Sequence, residues 1–162
     1  MKATLLIFAL ALGVVACDLG DEPNNPVEPL SATVQLTDTS GREMTVFHPG
    51  ESFDIRFALT NTTAKTLTYY RGSSAPDVLF WVFRNDSLVA SSTDGYAFLM
   101  VVSTGYLEPR ETLRGFWRGP TTPAQHPRVL LSPGAYVLRV SFPTFDQAET
   151  RRVPPIQFSI VE

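Results

Sequence analysis

The sequence predicts an all-β, antiparallel β-sandwich, and three observations carry that prediction. Short segments alternate apolar and polar residues with a period of two, most cleanly Phe53, Ile55, Phe57 and Leu59 against Asp54, Arg56, Ala58 and Thr60. Strand signals recur about every 8–12 residues between turns rich in Gly, Pro and Asn, which is the rhythm of a sandwich. No window carries a helical apolar period.

The first segment lies outside that pattern. Lys2 precedes an uninterrupted apolar run, 5–16, that ends in the small residue Ala16. This is the charged, apolar and small-residue order of an export signal over residues 1–16. A run of about a dozen residues is shorter than the roughly 20 a spanning helix needs. Cys17, the single cysteine of the chain, follows directly, and Val14-Val15-Ala16-Cys17 resembles the lipobox of bacterial lipoproteins. That resemblance implies cleavage before Cys17 and acylation of its thiol. Each buried methylene is worth about 0.8 kcal/mol, so two or three acyl chains hold a protein at a bilayer where one does not. The competing reading is a plain secretory signal that leaves a free thiol.

Residues 17–30 are acidic and rich in Pro and Asn, with Asp18, Asp21, Glu22, Pro23, Pro26, Glu28 and Pro29. Such a stretch buries too little surface to fold and reads as a tether. Residues 31–162 form the β-domain. Its first strand is expected around 32–37 and its second at 45–47, after the Ser40-Gly41 turn. Pro49-Gly50 turns the chain into the alternating strand 53–60, and Asn61 to Ala64 turn it again before Leu67. Residues 78–83 are apolar at every position, so that strand is covered on both faces or carries an exposed aromatic stripe. A hairpin turn at 84–87 leads to the strand 88–90. The dense apolar run 96–102 is expected to be a further strand, and 112–118 another, carrying Phe116 and Trp117. After the Pro-rich loop 119–127, the Pro133-Gly134 turn leads into Tyr136, Leu138, Val140 and Phe142. Ile156, Phe158 and Ile160 alternate once more in the last strand.

The order of these pieces resembles the BsuPI-like domain, a family named for an intracellular proteinase inhibitor. The resemblance rests on Pro49-Gly50-Glu51, the run from Phe57 to Thr63 with Leu67, and the Ser87-Leu88-Val89 hairpin. Leu107-Glu108-Pro109-Arg110-Glu111, Trp117 and Pro133-Gly134-Ala135-Tyr136 complete it, over about residues 44–160. It implies an immunoglobulin-like sandwich with no catalytic residues. Pro and Gly set the turn dihedrals, and the Tyr that follows can anchor a sheet corner through its hydroxyl. Export would keep an intracellular protease out of reach, so the resemblance points to a protein partner outside the cytoplasm.

Composition narrows the function. The whole chain carries 13 basic and 16 acidic residues, a net charge of −3. Losing Lys2 with the signal brings it to −4, which argues against nucleic acid. His48 and His126 each sit beside a Pro with no second His or Cys near, so no metal site is expected. No Gly-x-Ser-x-Gly elbow, phosphate loop or paired-carboxylate motif appears, and neither catalysis nor a cofactor is expected. The aromatic cluster of Tyr69, Tyr70, Phe80, Trp81, Phe83, Phe116 and Trp117 fills the core or turns alternate members outward as a platform. The candidate partner-binding residues are Tyr70, Arg71, Trp81, Trp117, Pro120, Pro123 and His126, with Cys17 as the lipidation site. If the domain inhibits a protease, Arg71 or the Pro-rich loop is the part that enters the cleft. The expected function is a non-catalytic, lipid-anchored binding module of the bacterial envelope, a proteinase inhibitor by resemblance. Its alternative is an assembly protein that pairs with an envelope partner through a sheet edge. The sequence leaves the choice of inner or outer membrane open.

Overall fold

The computed structural model describes residues 29–120, 130–146 and 153–162. The export signal expected over 1–16, Cys17, Pro123 and His126 lie outside the described residues. The described residues hold ten strands, in order β1 (Leu30–Asp38), β2 (Val46–Phe47), β3 (Phe53–Asn61), β4 (Leu67–Arg71), β5 (Leu79–Arg84), β6 (Ser87–Ser91), β7 (Ser103–Leu107), β8 (Thr112–Arg118), β9 (Gly134–Ser141) and β10 (Ile156–Ile160).

They build an immunoglobulin-like, all-β sandwich. One sheet has the order β1-β3-β8, the facing sheet β2-β10-β9-β5-β6, and β4 pairs with β7 as a two-stranded ribbon. In immunoglobulin terms β1, β3 and β8 are strands A, B and E, while β5, β9 and β10 are C, F and G, with β6 added as C′. Short β2 runs parallel to β10, and the remaining ladders are antiparallel.

The period of two in β3 becomes burial. Phe53, Ile55, Phe57 and Leu59 all lie inside, and Phe53 stacks on Phe47 with ring centroids 4.4 Å apart. Phe53 also meets Phe158 of the facing sheet at 5.5 Å, and Phe80 of β5 stacks on Trp117 of β8 at 6.3 Å. Each such side chain contributes about 1.5–3 kcal/mol on leaving water. In β5 the apolar run splits by parity: Phe80 and Val82 are buried, while Leu79, Trp81 and Phe83 are half-buried on the outer face. There Arg139 lies over the Phe83 ring at 4.5 Å.

Two turns follow from their residues. Asn85 and Asp86 take φ of 48° and 60°, the pair of positive angles that a two-residue hairpin of matching twist needs. Tyr136 donates its hydroxyl to the Ser132 carbonyl at 2.6 Å, the corner expected from Pro133-Gly134-x-Tyr136.

The joint between β3 and β4 is built on Asn61, which is fully buried. Its amide nitrogen donates to the carbonyls of Lys65 at 2.8 Å, Leu107 at 2.9 Å and Glu108 at 3.2 Å. Its side-chain oxygen accepts from Thr63 N–H at 2.9 Å and the Thr63 hydroxyl at 2.7 Å. The β3–β8 ladder ends here and resumes as β4–β7, which crosses toward the other sheet through the Tyr69–Phe145 bridge.

One expected strand does not form. Residues 96–102 carry no strand pairing, and Leu99, Met100 and Val102 are 73%, 89% and 85% exposed. Leu99 N–H donates to the Ser74 hydroxyl and its carbonyl accepts from Ser74 N–H, each at 2.9 Å. The apolar run is thereby pinned as a loop beside the sandwich rather than laid into a sheet.

Candidate functional site

Strand β8 closes one side of the three-stranded sheet, and among the described residues its one strand neighbour is β3. The register pairs Ile55 with Trp117, Phe57 with Gly115 and Leu59 with Leu113. Gly119 N–H donates to Phe53 O, and Asn61 N–H donates to Glu111 O at 3.0 Å. In an antiparallel ladder, alternate residues turn both peptide groups to the same partner. Odd positions of β8 therefore bond to β3. The peptide groups of Thr112, Arg114 and Phe116 point away from β3, along an edge with no strand partner among the described residues. This is the side where an immunoglobulin domain places strand D.

The edge is not flush with its surroundings. A groove of ≈560 Å³ runs along 113–117, with Val78, Phe80 and Trp117 among its floor residues and Tyr96, Phe98 and Phe116 among its lining. Tyr96 is 69% and Phe116 58% exposed. Gly115 lets the floor close, because a Cβ there would fall 2.6 Å from Val78 Cβ. The Trp117 indole N–H is buried without an acceptor among the described residues, and a desolvated donor of this kind costs about 1–3 kcal/mol.

The outer face of β8 and β3 is basic on an acidic protein. Arg56, Arg114 and Arg118 share it with the single carboxylate of Asp54, by the pairings Asp54–Arg118, Arg56–Phe116 and Ala58–Arg114. Arg118 binds Asp54 through two nitrogens, at 2.9 and 3.3 Å, and Arg56 approaches it at 3.6 Å. The Asp54 carboxylate pushes the Arg118 guanidinium above its ordinary value, first by hydrogen bonding and then by charge. Asp54 is itself buried, so it serves these two arginines and offers nothing to solvent. Arg56 also lies over the Phe116 ring at 6.0 Å. Arg114 is exposed and forms no ion pair among the described residues.

The sequence-predicted site residues scatter. Tyr70 faces out at 58% exposure, on the ribbon with Tyr106 at 61%. Arg71 is not a free inserting residue. It is half-buried and pairs with Asp77, and its guanidinium also donates to the Tyr69 hydroxyl at 2.8 Å. Tyr69 in turn donates to Asp77 at 3.0 Å. The Asp77 carboxylate holds the Arg71 guanidinium above its ordinary value, and burial followed by Asp77 pushes the Tyr69 hydroxyl up. Trp81 is half-buried on the opposite sheet. Trp117 does not face out: its odd parity in β8 turns it inward, to 5% exposure. Pro120 is buried as well. His48 is an exposed loop residue whose Nδ1 lies 3.1 Å from the Val161 carbonyl. Among the described residues no cluster of His, Cys, Asp or Glu could hold a metal, and no helix is long and apolar enough to cross a membrane.

Sequence reasoning missed Arg114, Phe116 and Tyr96 as one surface. The available signal was parity, since adjacent Phe116 and Trp117 in a strand must face opposite ways.

No family model matches the chain, and no curated protein matches it. Among solved structures it is similar to a β-glucosidase from Listeria innocua in complex with glucose, at 10% identity and a TM-score of 0.43. That likeness covers 81% of this chain and 16% of the other. A β-glucosidase from Erythrobacter marinus aligns at 13% identity and a TM-score of 0.41, over 82% of this chain and 15% of that one. The CARDB domain of PF1109 from Pyrococcus furiosus aligns at 18% identity and a TM-score of 0.39, over 83% of this chain and 97% of the domain. The chain thus spans about a sixth of the glucosidases' length, and their activity does not transfer to it.

Proposed function

We propose that this chain is a non-catalytic binding module of the bacterial envelope, tethered to a membrane through Cys17, that receives an extended polypeptide along the β8 edge. The observation that carries the reading is the open edge at Thr112, Arg114 and Phe116, backed by a groove that Tyr96, Phe98 and Phe116 help to line. Main-chain groups supply affinity in strand addition, and pockets beside the edge supply selectivity. Of the two roles expected from sequence, the edge favours assembly with an envelope partner. An inhibitor that inserts Arg71 into a protease is disfavoured, because Arg71 is already bound to Asp77.

The parity of β8 supplies the test. Phe116→Pro removes an N–H that points away from β3, so the β3–β8 bonds through odd positions survive. A partner crosslinked to the membrane-associated protein in cells should be recovered with the native chain and lost with Phe116→Pro. Recovery of the same partner with both refutes the edge. Stoichiometric inhibition of a protease by both forms would restore the inhibitor reading. Release of a Cys17→Ser form into the soluble fraction tests the tether, and its retention refutes it.

A further inference from the structure

We propose that the β8 edge selects an acidic strand, one that sets a carboxylate opposite Arg114 and an apolar side chain opposite Phe116. The inference rests on the strand-addition reading and adds the chemistry of the occupant.

Sheet geometry fixes where side chains of an added strand would fall. Directly opposed residues bring their Cβ atoms to about 4.5–5.5 Å, and alternate residues share a face. Arg114 and Phe116 both project from the outer face of β8, two positions apart. An added strand therefore presents two side chains to them, also two positions apart. The residue opposite Arg114 meets an exposed guanidinium with no ion pair among the described residues. The residue opposite Phe116 meets a ring that is 58% exposed and has Arg56 above it. Charge complementarity then chooses the partner: Arg114, with no ion pair among the described residues, favours an acid opposite it and opposes a base. The same arithmetic disfavours a second copy, since edge-to-edge pairing would bring two sets of arginines together. The intervening residue of the strand faces the groove, whose lining mixes Val78, Phe80 and Phe98 with Ser92 and Asp77.

The experiment titrates the nitrogen-15-labelled full chain with two capped peptides, STEVLTS and STKVLTS, at low and high salt. The expected result is that STEVLTS shifts the amide signals of Thr112, Arg114 and Phe116 and binds at least ten-fold more tightly than STKVLTS at low salt. That preference should shrink at high salt and reverse in Arg114→Glu, whose exposed side chain leaves the fold intact. Equal binding of the two peptides at these amides overturns the acidic preference while sparing the edge. Binding of neither, or shifts confined to the ribbon around Tyr70, overturns both. Dimerisation of the unliganded chain through β8 would assign the edge to a second copy and overturn the proposal.

Discussion

Replacing Asn61 by Ala should be among the most destabilising single changes in this protein, and the structure gives the size of the effect. The amide has two hydrogens and serves three carbonyls, while its oxygen accepts two bonds from Thr63. That amounts to about four hydrogen bonds at about 1 kcal/mol each. Leu107 is itself buried, so a carbonyl near it loses its partner where water does not easily replace it. The expected loss is about 3–5 kcal/mol, a large part of the roughly 5–15 kcal/mol that holds a domain of this size. Asn61→Asp sharpens the argument. It keeps the shape and the acceptor for Thr63 but turns a carboxylate toward three carbonyl oxygens. Asp should therefore be at least as damaging as Ala, although it is the closer isostere. Urea denaturation followed by tryptophan fluorescence reads both variants, because Trp117 is buried in the folded state. An Ala variant within about 1 kcal/mol of the native chain, or an Asp variant milder than Ala, would refute the joint as described.

Two further outcomes are open to the same measurement. Gly115→Ala should cost about 1–3 kcal/mol by overpacking, because the new Cβ would fall 2.6 Å from the Val78 Cβ, and the double variant with Val78→Gly should lose less than the two single changes summed. Losses that simply add would show that the groove floor is not closed by this contact. The Asp38 carboxyl is held down at about 2, first by the Ser40 hydroxyl and then by the Arg42 N–H, against an ordinary 3.8. A depressed carboxylate stabilises the fold above its unfolded value and loses that contribution as pH falls toward the folded one. The stability gap between the native chain and Asp38→Ala should thus be flat above 3.8 and close between 3.8 and 2. A gap that widens on acidification would contradict the sign.

Particular residues show what sequence can and cannot convey. Phe53 to Leu59 were readable because alternation records one wet and one dry face, and the Tyr136 corner because Pro133-Gly134 dictates its turn. Residues 96–102 misled for a complementary reason. Apolar density reports a preference for pairing, yet a strand exists only where a neighbouring strand offers its peptide groups. Trp117 and Phe116 show the same gap at finer scale: alternation demands that they oppose each other, but only the register against Ile55 decides which is inside. The edge of β8 was invisible because being last in a sheet is a property of topology. Its groove joins Val78, Tyr96 and Phe116, residues that are far apart along the chain.

The placement of β1 and β8 in one three-stranded sheet also fixes how a pull would travel. Under the proposed tether and partner, a pull from the anchor would act on β1 and a pull from the occupant of β8 on the far side of β3. Tension between the two would pass across the β1–β3 and β3–β8 ladders and bypass the five-stranded sheet. The half of the sandwich that carries Trp81 and Tyr136 would then act as ballast, keeping its shape while the other half bears the strain.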